Sequence, residues 1–259
     1  MRSCVSLLLL LWFTFPAFSQ SGGGKLMALE SGVTLRMESQ ILEGGDHKFY
    51  LVLQTNDVYE CANFLLENDV KLDGDKLIVR VRGVRKADPC STAMGPARAR
   101  INLTSLSEGE YRVRTIINRQ VFKSVLTVAE DYYDFAIKKE DPSLFRIYNG
   151  RLNIIPDNSI WGLCRYTSAY DKAVAEKFMS DLQAAGARKT ELPPGNYGDF
   201  YLHHAGEALE KVTGDDEYEY PFVYSFSGDL ALVKEVMNAY RERLQLSIKT
   251  SLGEQYRNY

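Results

Sequence analysis

Four cysteines and three histidines bound the side-chain chemistry open to this 259-residue chain. Cys4 belongs to an N-terminal apolar stretch, which leaves Cys61, Cys90 and Cys164. No two of these form a CxxC pair, so a zinc ribbon is not expected. A thiol nucleophile needs a histidine base within hydrogen-bond reach. His47 is the one histidine in the same half as Cys61 and Cys90, whereas Cys164 has His203 and His204 downstream. In "HHAGE" a metal could draw on His203, His204 and Glu207. Adjacent strand residues face opposite sides, however, so only one histidine can join Glu207 unless the strand ends there. No third ligand is in view; the plainer alternative is a strand-end pair, one half-buried and one exposed.

Arginine offers a different chemistry. Arg80, Arg82, Arg98, Arg100, Arg112 and Arg114 alternate with apolar residues in three predicted strands. Aligned on one outward face they would grip phosphate, carboxylates or acidic glycans, with Arg80, Arg82, Arg112 and Arg114 the candidate ligand-binding set. The competing expectation is a solvated face on which each arginine pairs with a nearby acid. Tyrosines at 132, 133, 218, 220 and 224 could stack on sugars or serve as ordinary strand residues. Asn102 in "NLT" is a glycosylation sequon.

The elements that would hold these groups begin after residue 20. "MRSCVSLLLLLWFTFPAFSQ" has a basic start, an apolar run too short for a comfortable span and a small-residue end, the layout of a signal peptide over residues 1–20. The expected setting is secreted or periplasmic, and no later run is long enough to span a membrane. In an oxidising compartment three cysteines predict one disulfide and one odd residue. Cys61 opens a predicted strand and Cys90 lies in a Pro- and Gly-containing connection, so a Cys61–Cys90 staple is expected. Cys164, in an apolar strand, is expected to be a small buried hydrophobe.

Residues 21–140 read as strands over 34–42, 48–55, 61–67, 76–83, 97–103, 110–117 and 120–128, divided by turn signals, which predicts a β-sandwich. "LSEGEYRVR" sets Leu106, Gly109 and Tyr111 in the spacing of a tyrosine corner, the crossover between two sheets. Here the chain resembles immunoglobulin-like or fibronectin-like Greek-key sandwiches, without the Cys…Trp…Cys spacing of antibody domains. "CSTAMGPARARINLTSLSEGEYRV" resembles the sandwich domains of uncharacterised secreted bacterial proteins. The resemblance implies a fold and no activity.

Asn149-Gly150 between apolar residues predicts a hairpin connector over 141–158. Residues 159–259 then follow the order βαββαβ: strands at 159–166, 199–205, 220–226 and 244–250, with two helices between. That is the α+β ferredoxin-like plan. Its usual strand order leaves the first and second strands roughly 10 Å apart, which separates Cys164 from His203 and His204.

Residues 21–140 balance acids and bases, residues 141–259 are net acidic, and the whole chain carries −3. Nucleic acid is therefore not an expected partner. With no phosphate loop, dinucleotide fingerprint, HExxH or GxSxG, no cofactor is expected. The favoured function is a non-enzymatic binding or interaction module for a protein or glycan partner. The alternative is an extracellular hydrolase using Asp199, His203, His204 and Glu207.

Overall fold

The computed structural model describes residues 26–138, 141–202, 211–212 and 218–259. The expected signal peptide lies outside the described residues, as do His203, His204 and Glu207. The chain is mostly β. A large curled sheet holds β1 (Leu26–Met27), β2 (Val33–Ile41), β3 (His47–Thr55), β4 (Leu65–Asp73), β5 (Lys76–Arg85) and β6 (Arg98–Asn102). It continues with β7 (Gly109–Ile117), β8 (Gln120–Val128), β9 (Tyr132–Ile137), β10 (Phe145–Ile147) and β11 (Arg151–Asn153). The order is β10-β2-β3-β6-β4-β5-β7-β8-β9-β11, with β1 beside β5.

Period-two patterning sets which face is buried. On β5, Leu77, Val79 and Val81 are buried while Lys76, Arg80 and Arg82 are exposed, as the alternation predicts. On β2, Val33, Leu35 and Met37 point into the same core. The β7–β8 link turns on Asn118 and Arg119, both left-handed at φ 47° and 68°, the geometry of a two-residue hairpin. Tyr111 donates its hydroxyl to the Ser107 carbonyl at 2.9 Å, which is the bond expected of a tyrosine corner.

Three expectations change here. First, β5 and β7 run parallel, whereas an immunoglobulin-like sandwich is built of antiparallel sheets. The chain leaves β5, crosses to pair β6 with β3, and returns through the tyrosine corner in its original direction. Second, the predicted strand 61–67 begins only at Leu65 and runs on to Asp73. Residues 61–64 instead form a turn in which Phe64 N bonds to Cys61 O. The Cys61–Cys90 disulfide fastens this turn to the β5–β6 connection, with 5.5 Å between Cα atoms. Closing 29 residues stabilises the fold by roughly 3–4 kcal/mol in the chain-entropy model.

Third, Asn149-Gly150 is no hairpin. β10 pairs in parallel with β2, and β11 pairs antiparallel with β9, so the two strands take opposite edges of the sheet. Tyr148 N bonds to Leu35 O on one edge, and Phe135 N bonds to Gly150 O on the other, both at 2.8 Å. Bare strand edges carry unpaired N–H and C=O groups. This clasp satisfies both edges within nine residues, and its Phe145 and Leu152 are fully buried in the large core.

The second sheet contains β12 (Ser159–Tyr166), β13 (Arg188–Lys189), β16 (Lys211–Val212), β17 (Tyr218–Ser225), β18 (Gln245–Thr250) and β19 (Gln255–Arg257). Between β13 and β16 a separate two-stranded sheet pairs β14 (Gly195–Asn196) with β15 (Tyr201–Leu202). The main order is β13-β17-β12-β18-β19, and every pairing is antiparallel. Helices α1 (Lys172–Ala184) and α2 (Leu230–Ala239) bury Phe178, Leu182, Val233 and Met237 with one face of this sheet. Of the expected strand at 199–205, Tyr201–Leu202 forms β15 and residues 203–205 lie outside the described residues; the strand that follows α1 in this sheet is β13. A short turn at Ala169–Asp171 precedes α1, whose N-cap is Asp171. Among the described residues no helix is long and apolar enough to cross a membrane.

Candidate binding surfaces

The outer face of the second sheet presents Trp161 and Val223, which pack with Leu192, Tyr197, Phe200 and Leu202. Ile41 at the end of β2 joins the same cluster, so it lies where the two sheets meet. Tyr197 and Phe200 stack at 4.9 Å, and the Tyr197 hydroxyl donates to Pro193 O at 2.9 Å. These contacts order the loop itself, and Ser39 Oγ on β2 donates to Tyr197 O at 3.4 Å. Gly198, at φ +83°, lets the loop approach, since a Cβ there would stand 2.3 Å from Ser39 Oγ.

Along this seam runs a cleft of about 400 Å³, lined by Arg36, Met37, Glu38, Ser39, Tyr148, Asn149, Asn196, Gly198 and Asp199. A smaller hollow of about 180 Å³ shares Ser39 and Asp199 and reaches Trp161, Lys249 and Glu254. Arg36 pairs with Glu38 at 2.5 Å, and Arg100 reaches the other Glu38 oxygen at 3.6 Å while lying over the Tyr50 ring. Lys249 pairs with Asp199 at 2.9 Å. Two buried donors, Arg36 Nε and Trp161 Nε1, have no hydrogen-bond partner among the described residues. Tyr148 stands 63% exposed at the rim. The arrangement is a polar wall with fixed charges of both signs and an exposed ring. It suits recognition of a polar, hydroxyl- or amide-bearing ligand.

The sequence singles out only Asp199 from this cleft. Arg36, Glu38, Asn149 and Asn196 come from segments far apart in the chain. The one local trace was the run of outward polar positions along β2. Of the residues that sequence reasoning did name, Cys164 is fully buried and free. Burial pushes its thiol up to about 12, so it is no nucleophile at neutral pH. No group of three or more metal-ligating side chains exists among the described residues; the proposed metal residues His203, His204 and Glu207 lie outside them.

The six arginines separate into two sets, paired and unpaired. Arg82 binds Asp69 at 2.5 Å, and Arg112 grips Asp75 through two bonds of 2.7 Å. Arg80 and Arg114 have no acidic partner among the described residues, and Arg98 and Arg100 lie on the β6 side of the curl. The tyrosines are mostly structural: Tyr133 stacks on Phe49, Tyr224 is buried under the helices, and Arg151 covers Tyr132. Asn102 is exposed on the outer face of β6. No family model, no curated protein and no solved structure matches this chain.

Proposed function

We propose that this chain is an exported, non-enzymatic binding module whose ligand, a glycan or a segment of a protein, lies in the cleft between the two sheets. The observation that carries the proposal is the convergence of Arg36, Glu38, Asn149, Asn196 and Asp199, with the Tyr148 ring, on one cleft of about 400 Å³. The Cys61–Cys90 bond suits an oxidising compartment, in keeping with the signal-like N-terminus.

At the level of fold, the C-terminal half is proposed as ferredoxin-like. The order β13-β17-β12-β18, with one helix after β12 and the other after β17, supports that reading. For the N-terminal half a sandwich related to the immunoglobulin type is proposed. Its tyrosine corner supports it, and the parallel β5–β7 pair is its departure from the type.

The test is a thermal-shift panel of oligosaccharides and peptides on the wild type and on Arg36→Ala and Asp199→Asn. A ligand that raises the melting temperature of the wild type should lose most of its effect in both variants. A ligand whose shift survives both substitutions would remove the cleft from the proposal. Consumption of that ligand by the wild type would replace the binding module with the hydrolase.

A further inference from the structure

We infer that the exposed face of β4, β5, β7, β8 and β9 is a second binding surface, which takes a linear acidic polysaccharide along a row of cations. Register places Lys71 beside Ile78, Ile78 beside Arg114, and Arg114 beside Lys123. Lys138 continues the row, its N–H donating to Lys123 O at 3.2 Å. All four cations are exposed, and none has an acidic partner among the described residues. At about 4.8 Å per strand, the row crosses the sheet over roughly 19 Å.

The energetics of the row are the argument. Like charges directly opposite one another across a strand pair destabilise a sheet. Arg114 faces Lys123, and Lys123 neighbours Lys138, so the row carries this cost twice. Elsewhere on the same face acids compensate the arginines: Arg82 has Asp69, Arg85 has Glu67, and Arg112, which stands opposite Lys76, has Asp75. An acid at position 123 would remove the repulsion. A like-charge pairing left without an acid in one row, where acids compensate the arginines around it, is what a binding surface looks like, because functional groups are held against local preference.

The chemistry of the surroundings selects the occupant. The row runs strand to strand across one outer face of the curled sheet, so it fits an extended chain bearing carboxylates or sulfates at intervals. Ile78 lies within it, and the half-buried Ile116 and Val125 flank it. These give apolar ground for the faces of sugar rings between the charges. Nucleic acid fits less well: its charge is denser, the chain as a whole is −3, and the row holds no aromatic ring for stacking. A membrane surface fits less well because Asp69, Asp73 and Asp75 lie on the strands and turn at its margin.

The experiment compares binding of the purified protein to polygalacturonate, neutral dextran, duplex DNA and phosphatidylserine vesicles, at low and high salt. Polygalacturonate should be retained and dextran not, with retention fading as salt rises. The double variant R114Q/K123Q should weaken binding by about tenfold, as expected from removing two charge-assisted contacts. It should also raise the melting temperature, which relief of the repulsion demands and which shows that the variant folds. The control R82Q/R112Q, which removes paired arginines, should change binding by less than about twofold. Equal weakening by both double variants would overturn the row as a site. So would tighter retention on DNA or vesicles, or no retention on polygalacturonate.

Discussion

His47 opens β3 opposite Ile41, half-buried, with its Nε2 buried and without a hydrogen-bond partner among the described residues. Desolvation holds its pKa below 6.5, and Asp157 opposes that shift only in part. The folded state therefore resists a proton that the unfolded chain accepts. Its contribution to stability is complete above pH 6.5 and is lost as pH falls through the folded value. His47→Gln should flatten the loss of stability between about pH 7.5 and about pH 5, read as the difference in denaturation midpoint from wild type. An unchanged slope would mean that His47 binds its proton equally well in the folded and unfolded states. At the same scale, Cys164 was legible from its apolar neighbours, and its burial follows. The cleft was not legible, because spacing in sequence says nothing about which outward positions a later loop will cover.

Gly162 shows the same limit among the elements. It sits in the middle of β12, between Phe222 on β17 and Ile248 on β18. A Cβ there would stand 2.0 Å from Ser247 O. Gly162→Ala should therefore cost about 1–3 kcal/mol, the range for overpacking, by forcing β12 from β18; urea unfolding would measure it. Nothing in "SIWGLCRY" beyond the glycine itself signals this contact. Strands with clean alternation, such as β2, β3, β5, β7 and β8, could be read directly, since period two and burial on one face are a single physical fact. β9 was missed because Tyr132 and Tyr133 read equally as sugar-stacking rings and as strand residues, and Tyr133 and Phe135 are core. β13 was missed because two residues on a sheet edge carry no period. Asn149-Gly150 misled because a turn sequence fixes the local bend and leaves open which edges its flanks will join.

For the whole molecule, the consequence concerns how the chain divides. A cut at residue 140 looks natural in the sequence, yet it separates the large sheet from the clasp that covers both its edges. A fragment of residues 26–138 should self-associate, while one of residues 26–157 should stay monomeric, as sedimentation would distinguish. Equal behaviour of the two would mean that the edges are protected by other means. The clasp also puts a time into the making of the protein. A chain that emerges N-terminus first completes β9 at Ile137 but cannot close its sheet until Asn153 has followed. At roughly 5–20 residues per second that interval is on the order of a second or two. The vulnerable state is thus brief in normal synthesis, and it becomes permanent wherever translation stops short of Phe145.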